Sequence, residues 1–542
     1  MPDVAPHRPH SPAPRATLVM TVRERHRLTL VAIESILANT AVPFRFVFAH
    51  GELPEDLDDA IAKLVREGRI ESRRFDGQPW PQQLREALIQ EVDTEYAVFI
   101  DNDVLVSAGW LERLIQCADE TGAGAVGPLY LWGDGVSPPK VHMAGGILKE
   151  YRAAGGNVMM EEHRHIDGDP ARVAKLLGRG RCDFLEFHCM LVRTVLAREA
   201  RAFDGEIACV HEHIDVALAL RGKGGLTYFE PAAQVTYLAF APHVLQDLGL
   251  LRARWNAAAT EASIAAFCRK WDVIPDERSF GGVRGLVRDL RARNDPIRAS
   301  AADADHTRPM SPQDLPQTRA QLLDLARARG YSTPALTLLS RGCHLAAALT
   351  DGGFRPCGRP FVQHLIGTAG VLVRYDFCTE VVLEGLLHAA YTHRRIAAVS
   401  IQGMLAGLLP AVERRVRDYT RRAGRSGTQP AGASSLRDVE VAAVAAANEI
   451  DMRLSGEYDY SGRPAEIAGD QVPRLVRILE LLGVRGMAST LDAALAASRD
   501  VPRELVTGIN MSYRIGAGNT LVRMAAEPGA LPDGLPEAAF GV

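Results

Sequence analysis

Short apolar runs alternate with longer amphipathic stretches along the front half of the chain. Residues 17–22 (Thr-Leu-Val-Met-Thr-Val) read as a strand, and a charged loop, Arg23-Glu24-Arg25-His26-Arg27, leads into helical spacing over 28–37. Strand spacing returns at 44–49 and more weakly at 70–75, with helical stretches at 53–67 and 81–91. A run at 97–100, apolar at every position, suits a strand covered on both faces. A helix over 110–121 and a strand over 123–131 follow, so the alternation predicts a mostly parallel sheet with helices on both faces. Residues 151–181 are polar and glycine-rich, as expected of a mobile lid, and 182–192 read as a further apolar strand carrying Glu186 and His188.

The back half has a different period. Helical spacing fills 318–329, 334–348, 360–375, 378–391, 396–422 with a break at Pro410, 436–454, 471–482 and 490–498. Strand signals are missing there, which predicts an all-α domain. Between the halves, 276–317 turns to Arg, Asp, Ala and Pro, the composition of a linker. The expected organisation is an arm over 1–13, an α/β domain over 14–275, the linker 276–317, a helical domain over 318–528 and a tail over 529–542.

Composition narrows the class. The chain has 542 residues, 47% hydrophobic and 24% charged, ample for sizeable cores. A net charge of -4 supplies no basic field for nucleic acid. The 8 cysteines include no Cys-x-x-Cys pair and read as free thiols of a reducing compartment. The proline-rich arm lacks the apolar core of a signal peptide, and no stretch reaches the length of a membrane span. A cytoplasmic protein is expected, with any contact to the inner membrane peripheral.

Candidate chemistry begins at Asp101-Asn102-Asp103, directly after the buried strand. Carboxylates at the carboxyl edge of such a sheet stand where open α/β folds bind ligands. Two of them one residue apart suit a hard divalent ion shared with phosphates. Further on, Glu212-His213-Ile214-Asp215 opens a helix that a glycine turn stops before Thr227-Tyr228-Phe229-Glu230-Pro231. With the strand-helix alternation and the closing Phe267-Cys268-Arg269-Lys270-Trp271, this part of the chain resembles a family 2 glycosyltransferase of the GT-A fold. The resemblance implies a nucleotide-diphosphate sugar, UDP-sugar favoured, lying across the strand ends with Thr21 and Arg23 near the nucleotide. It also implies Mg²⁺ or Mn²⁺ bound by Asp103 with Asp101 assisting, and direct displacement with inversion at an acceptor hydroxyl of a glycan, a lipid-linked or a small molecule.

The chain departs from that pattern in two places. Where the family has a Glu-Asp pair it has Glu212-His213, which leaves three readings open: His213 is the base, Glu212 or Asp215 is the base while His213 orients, or His213 binds the metal. Where the family has an aspartate after the second strand it has Ala49-His50-Gly51. His142, His188 and His211 read first as hydrogen-bonded core residues. A non-catalytic sugar-nucleotide binding or assembly protein is the alternative that these departures raise.

In the helical half, His364, then His388-Ala389-Ala390-Tyr391-Thr392-His393, then Asn448-Glu449-Ile450-Asp451 resemble the order of metal-binding residues in HD-type phosphohydrolase domains. Ala389 and Asn448 stand where aspartates are expected. The resemblance implies His364, His388 and His393 as candidate ligands, in a scaffold for binding or assembly or in a metal-dependent phosphohydrolase.

Overall fold

Four consecutive apolar positions that gave the strand at 97–100 lie in β4 (Tyr96–Asp101), every residue of which is buried. Beside it runs β1 (Ala16–Thr21), equally buried, in parallel register with Thr21 opposite Asp101. The computed structural model describes residues 13–298, 306–355, 358–392, 398–423, 435–457, 471–499, 511–515 and 521–525. Its contacts divide the chain into two units, Met1–Arg291 and Ala292–Val542.

The first unit is built on one mixed sheet and a separate two-stranded sheet of β8 (Gly146–Ala153) and β9 (Gly156–His163). The further strands of the mixed sheet are β2 (Phe44–His50), β3 (Glu71–Arg74), β5 (Val104–Val106), β6 (Ala125–Trp132), β7 (Lys140–Met143), β10 (Gly180–Arg181), β11 (Cys189–Arg193) and β12 (Thr227–Tyr237). The order is β10-β12-β6-β11-β4-β1-β2-β3, with β5 on β12 and β7 on β6. Pairs β1/β2, β1/β4, β2/β3 and β6/β12 are parallel, while β11 runs antiparallel to both of its neighbours. Because β11 is reversed, its start lies at the same edge as the carboxyl ends of β1 and β4, with Cys189 opposite Ile100.

Helices α1 (Thr29–Asn39), α2 (Glu55–Arg66), α3 (Pro81–Ile89) and α4 (Trp110–Thr121) follow the predicted stretches. In α2 the buried stripe is Leu57, Ile61 and Leu64, the spacing of one helical face. After α5 (Pro170–Leu176) and α6 (Thr194–Glu199), α7 (Glu212–Gly222) is buried nearly all round. The unit closes with α8 (Leu248–Arg254), α9 (Ala257–Trp271) and α10 (Glu277–Asn294).

Three expectations change. The front of the lid expected at 151–181 belongs to an ordered hairpin: β8 and β9 pair antiparallel from Gly146↔His163 to Ala153↔Gly156, turned by Ala154-Gly155. Gly156, at φ 141, takes a conformation that an L side chain rarely adopts. The strand expected over 182–192 begins only at Cys189, because the buried Tyr130 hydroxyl donates to the carbonyls of Glu186 and Cys189 and accepts from the Glu186 N–H, holding a bend there. Part of the expected linker is α10, whose Phe280 and Val287 are buried.

The second unit is helical: α11 (Arg319–Ala328), α12 (Thr333–Leu349), α13 (Phe361–Arg374), α14 (Thr379–Leu387), α15 (Ala398–Leu408), α16 (Pro410–Ala423) and α17 (Leu436–Leu454), then helices Gln471–Leu481 and Arg485–Arg499. The break at Pro410 falls as expected, since proline opens α16. An antiparallel pair, Met511–Ile515 with Leu521–Ala525, is the exception to the helical pattern. Its signal is the alternation of Met511, Tyr513 and Ile515 with Ser512 and Arg514. Among the described residues no helix is long and apolar enough to cross a membrane. Residues 1–12 of the arm expected over 1–13, and the tail expected over 529–542, lie outside the described residues.

Candidate functional site

Asp101 and Asp103 leave the same strand and meet different surroundings. Both oxygens of Asp101 are engaged: Oδ1 accepts from Arg85 Nη2 at 2.9 Å, and Oδ2 from Arg23 Nη1 at 3.1 Å, with His188 Nδ1 at 3.2 Å. Burial acts to raise its pKa, but Arg23, the His188 hydrogen bond and Arg85 outweigh it and hold the carboxyl at about 2. Asp103 has one contact, Oδ2 to Arg25 Nη1 at 3.4 Å, and its Oδ1 is buried with no hydrogen-bond partner. Burial, the neighbouring Glu24 and Asp101 push it up to about 7. A buried carboxylate left short of partners is the kind of atom a cation satisfies.

Asn102, between them, shapes the loop above. Its Oδ1 accepts from the Arg23 N–H, and its Nδ2 donates to the Arg25 carbonyl and to Thr29 Oγ1. The charged loop is thereby pinned across the strand edge. Arg25 also donates to Glu24 Oε2 at 2.8 Å and to the carbonyls of Ala239 and Ala241, and Tyr237 donates to Glu24 Oε1 at 3.3 Å. Thr21, the last residue of β1, is buried with Oγ1 lacking a partner. His188 stacks on Tyr237, ring centroids 4.0 Å apart, and joins this group to a second cluster.

That cluster gathers His142 from β7, His163 and Glu161 from β9, Glu186 from the bend before β11 and His213 from the first turn of α7. His213 Nε2 lies 3.0 Å from Glu161 Oε2 and 3.9 Å from Glu186 Oε1, and His163 Nε2 lies 3.3 Å from the same Glu186 oxygen. Burial works against charge on His213, but Glu186 and the Glu161 hydrogen bond raise it to about 9. As placed it is a hydrogen-bond donor at neutral pH, without the lone pair a base requires. His142 is pushed down to about 3 by burial and by His188, and stays neutral.

The remaining candidates separate. Asp215, one turn into α7, faces α9: Trp271 Nε1 donates to Oδ1 at 2.8 Å and Lys270 Nζ to Oδ2 at 3.0 Å, which fixes α7 to that helix. Glu212 is half-buried, and its charge is felt by Arg85, the partner of Asp101. His211, preceding it, is held at φ 60, its ring packed on Phe267 and Phe280. His50, where the family has an aspartate, is satisfied by the Gly51 carbonyl and Ser72 Oγ.

Arg85, Tyr237, Glu161 and His163 escaped the sequence reading, since each joins the site from a distant segment, and Glu24 was read only as part of the charged loop. The nearest signal was charge at 23–27 beside a strand end.

In the helical unit His364 Nδ1 lies 2.7 Å from Asp451 Oδ2, and both Asp451 oxygens take Arg359. The aspartate partner is therefore Asp451, one turn past the expected Asn448. His388, at the end of α14, donates Nδ1–H to the Gly385 carbonyl, and its ring lies 5.4 Å from that of His364. Burial, then His364, keep His388 at about 3. His393 lies outside the described residues.

No curated protein matches the chain. Among solved structures there is a likeness to "Crystal structure of GalNAc-T7 with UDP, GalNAc and Mn2+", at 13% identity and TM-score 0.35. It covers 53% of this chain and 59% of that one, so it spans less than two thirds of that chain. Residues 17–168 match the family model described as "Glycosyl transferase family 2", a stretch that includes Thr21, Arg23, Asp101 and Asp103 and ends before α7. The first unit is therefore similar to family 2 glycosyl transferases over residues 17–168, which supports glycosyl transfer in general.

Proposed function

We propose that the first unit moves a sugar from a nucleotide-diphosphate donor, UDP-sugar favoured, to an acceptor hydroxyl by single displacement with inversion. The observation that carries this reading is the buried Asp103 Oδ1 without a partner at the carboxyl edge of β4. It suits a Mg²⁺ or Mn²⁺ ion, which when bound would offset charge on the leaving diphosphate. Asp101, with both oxygens taken, instead orients Arg23 and Arg85. Arg23 and Arg25, held across the edge by Asn102, are the cations for the diphosphate, and Thr21 Oγ1 is free to bond the nucleotide.

The acceptor oxygen bonds to the anomeric carbon as the carbon–phosphate-oxygen bond breaks, and the acceptor proton passes to a carboxylate. Of the candidates at α7, Asp215 is bound to Lys270 and Trp271 and His213 to Glu161. Glu212 remains as the base.

A thermal-shift screen with UDP, GDP, TDP and CMP, each with and without Mn²⁺, tests the donor site, because a ligand of the folded state stabilises it. One nucleotide is expected to raise the Tm only with metal, and Asp103→Asn to abolish the rise. Glu212→Gln should keep that rise while slowing transfer about 10²- to 10⁴-fold, the usual worth of a general base. If no nucleotide and metal pair shifts the Tm, the donor site is wrong; an active Glu212→Gln removes the base assignment alone.

A further inference from the structure

A second polar centre lies on the other side of His188 from Asp101, and its donor atoms differ in kind. One ring nitrogen each of His142 and His163 and a carboxylate oxygen of Glu186 lie within 4.8 Å of one another. His142 is only 9% exposed, and its Nδ1 is buried without a hydrogen-bond partner. A tetrahedral ion with bonds of about 2.1 Å needs its ligand atoms roughly 3.4 Å apart. His163 Nε2 and Glu186 Oε1 already stand at 3.3 Å.

We propose that His142, His163 and Glu186 bind a borderline divalent ion of the Zn²⁺ or Co²⁺ kind, separate from the hard ion assigned to Asp103. Two imidazoles and one carboxylate favour such ions over Mg²⁺, which takes oxygen ligands and keeps its waters. The neighbouring His213, 3.9 Å from Glu186, is balanced by Glu161 at 3.0 Å, so the cluster retains an anion beside the imidazolium. The three ligands come from β7, from the end of β9 and from the bend before β11. A bound ion therefore fastens the β8–β9 hairpin to the strand edge, leaving a coordination position open to solvent or substrate.

The test uses the untagged full chain, stripped by chelator and titrated with Co²⁺, whose visible absorption reports nitrogen-containing, low-coordinate sites. Wild type and Asp103→Asn should each bind one Co²⁺ per chain with the same spectrum. His163→Gln and His142→Gln should weaken that binding at least tenfold while keeping the circular dichroism of the wild type. Amide exchange over residues 146–163 should slow when Zn²⁺ is added to the wild type and not to His163→Gln. A chain that takes up no Co²⁺, or a spectrum that survives both histidine variants, overturns the site. A spectrum lost in Asp103→Asn and kept in His163→Gln also overturns it, by moving the ion to the Asp103 carboxylate.

Discussion

Asp101 and Asp103 are the same residue type on one strand end, yet one is held at about 2 and the other pushed up to about 7. Their position could be read from the apolar run before them. The difference between their surroundings could not, because it depends on Arg85, Arg23 and Arg25. His213 shows the same limit from the opposite side: an ordinary histidine is a competent base, and two glutamates make it a cation. That charge carries a stability consequence. With its pKa raised to about 9 from 6.5, the stabilisation is complete below about pH 6.5 and disappears as pH rises through about 9. One pKa unit is about 1.4 kcal/mol, which sets an upper bound of about 3.5 kcal/mol. In metal-free protein, urea midpoints of wild type should fall over that window relative to His213→Gln. Parallel midpoints across pH 6 to 10 would show that Glu161 and Glu186 do not hold the charge.

At the scale of elements, periodicity located what was regular. The stripe of α2, the break at Pro410 and α17, found at its expected bounds, are local properties of sequence. The reversal of β11 and the hairpin at 146–163 were hidden, since direction and pairing depend on what lies beside a strand. Gly367 in α13 illustrates how packing overrides local preference. A Cβ there would overlap Asp451 Oδ1 and come within 3.0 Å of Arg359 Nη2, and Asp451 of α17 is the carboxylate that pairs with both His364 of α13 and Arg359. Helix propensity alone favours Gly367→Ala by about 1 kcal/mol. Displacing a buried, paired carboxylate costs about 3 to 5 kcal/mol, so the variant should be destabilised by roughly 2 to 4 kcal/mol. A denaturation midpoint at or above wild type would mean that α17 shifts freely and the network is not what sets the helix spacing.

Across the whole molecule, the sequence suggests an α/β domain over 14–275, a linker over 276–317 and a helical domain from 318, and the structure divides its contacts at Arg291 and Ala292. The division of chemistry follows the same line. The first unit has one carboxylate, Asp103, short of a partner at a sheet edge, whereas the charges in the described polar centre of the second are paired, Asp451 with Arg359 and His364, while His364 Nε2 alone of that ring's nitrogens lacks a partner and His388 bonds the Gly385 carbonyl. A centre whose charges are already paired offers little to a nucleotide or a hard cation. His388→Gln should therefore lower the Tm of the chain, at a cost of about 1 to 3 kcal/mol for a buried hydrogen-bonded side chain. The further rise produced by nucleotide with Mn²⁺ should match that of wild type, while Asp103→Asn loses it with a Tm of its own. Nucleotide titrations by calorimetry on the same variants separate binding from stability. If His388→Gln weakened nucleotide affinity tenfold with its fold intact, donor binding would depend on both units, and the helical unit would have to be counted as part of the transferase site.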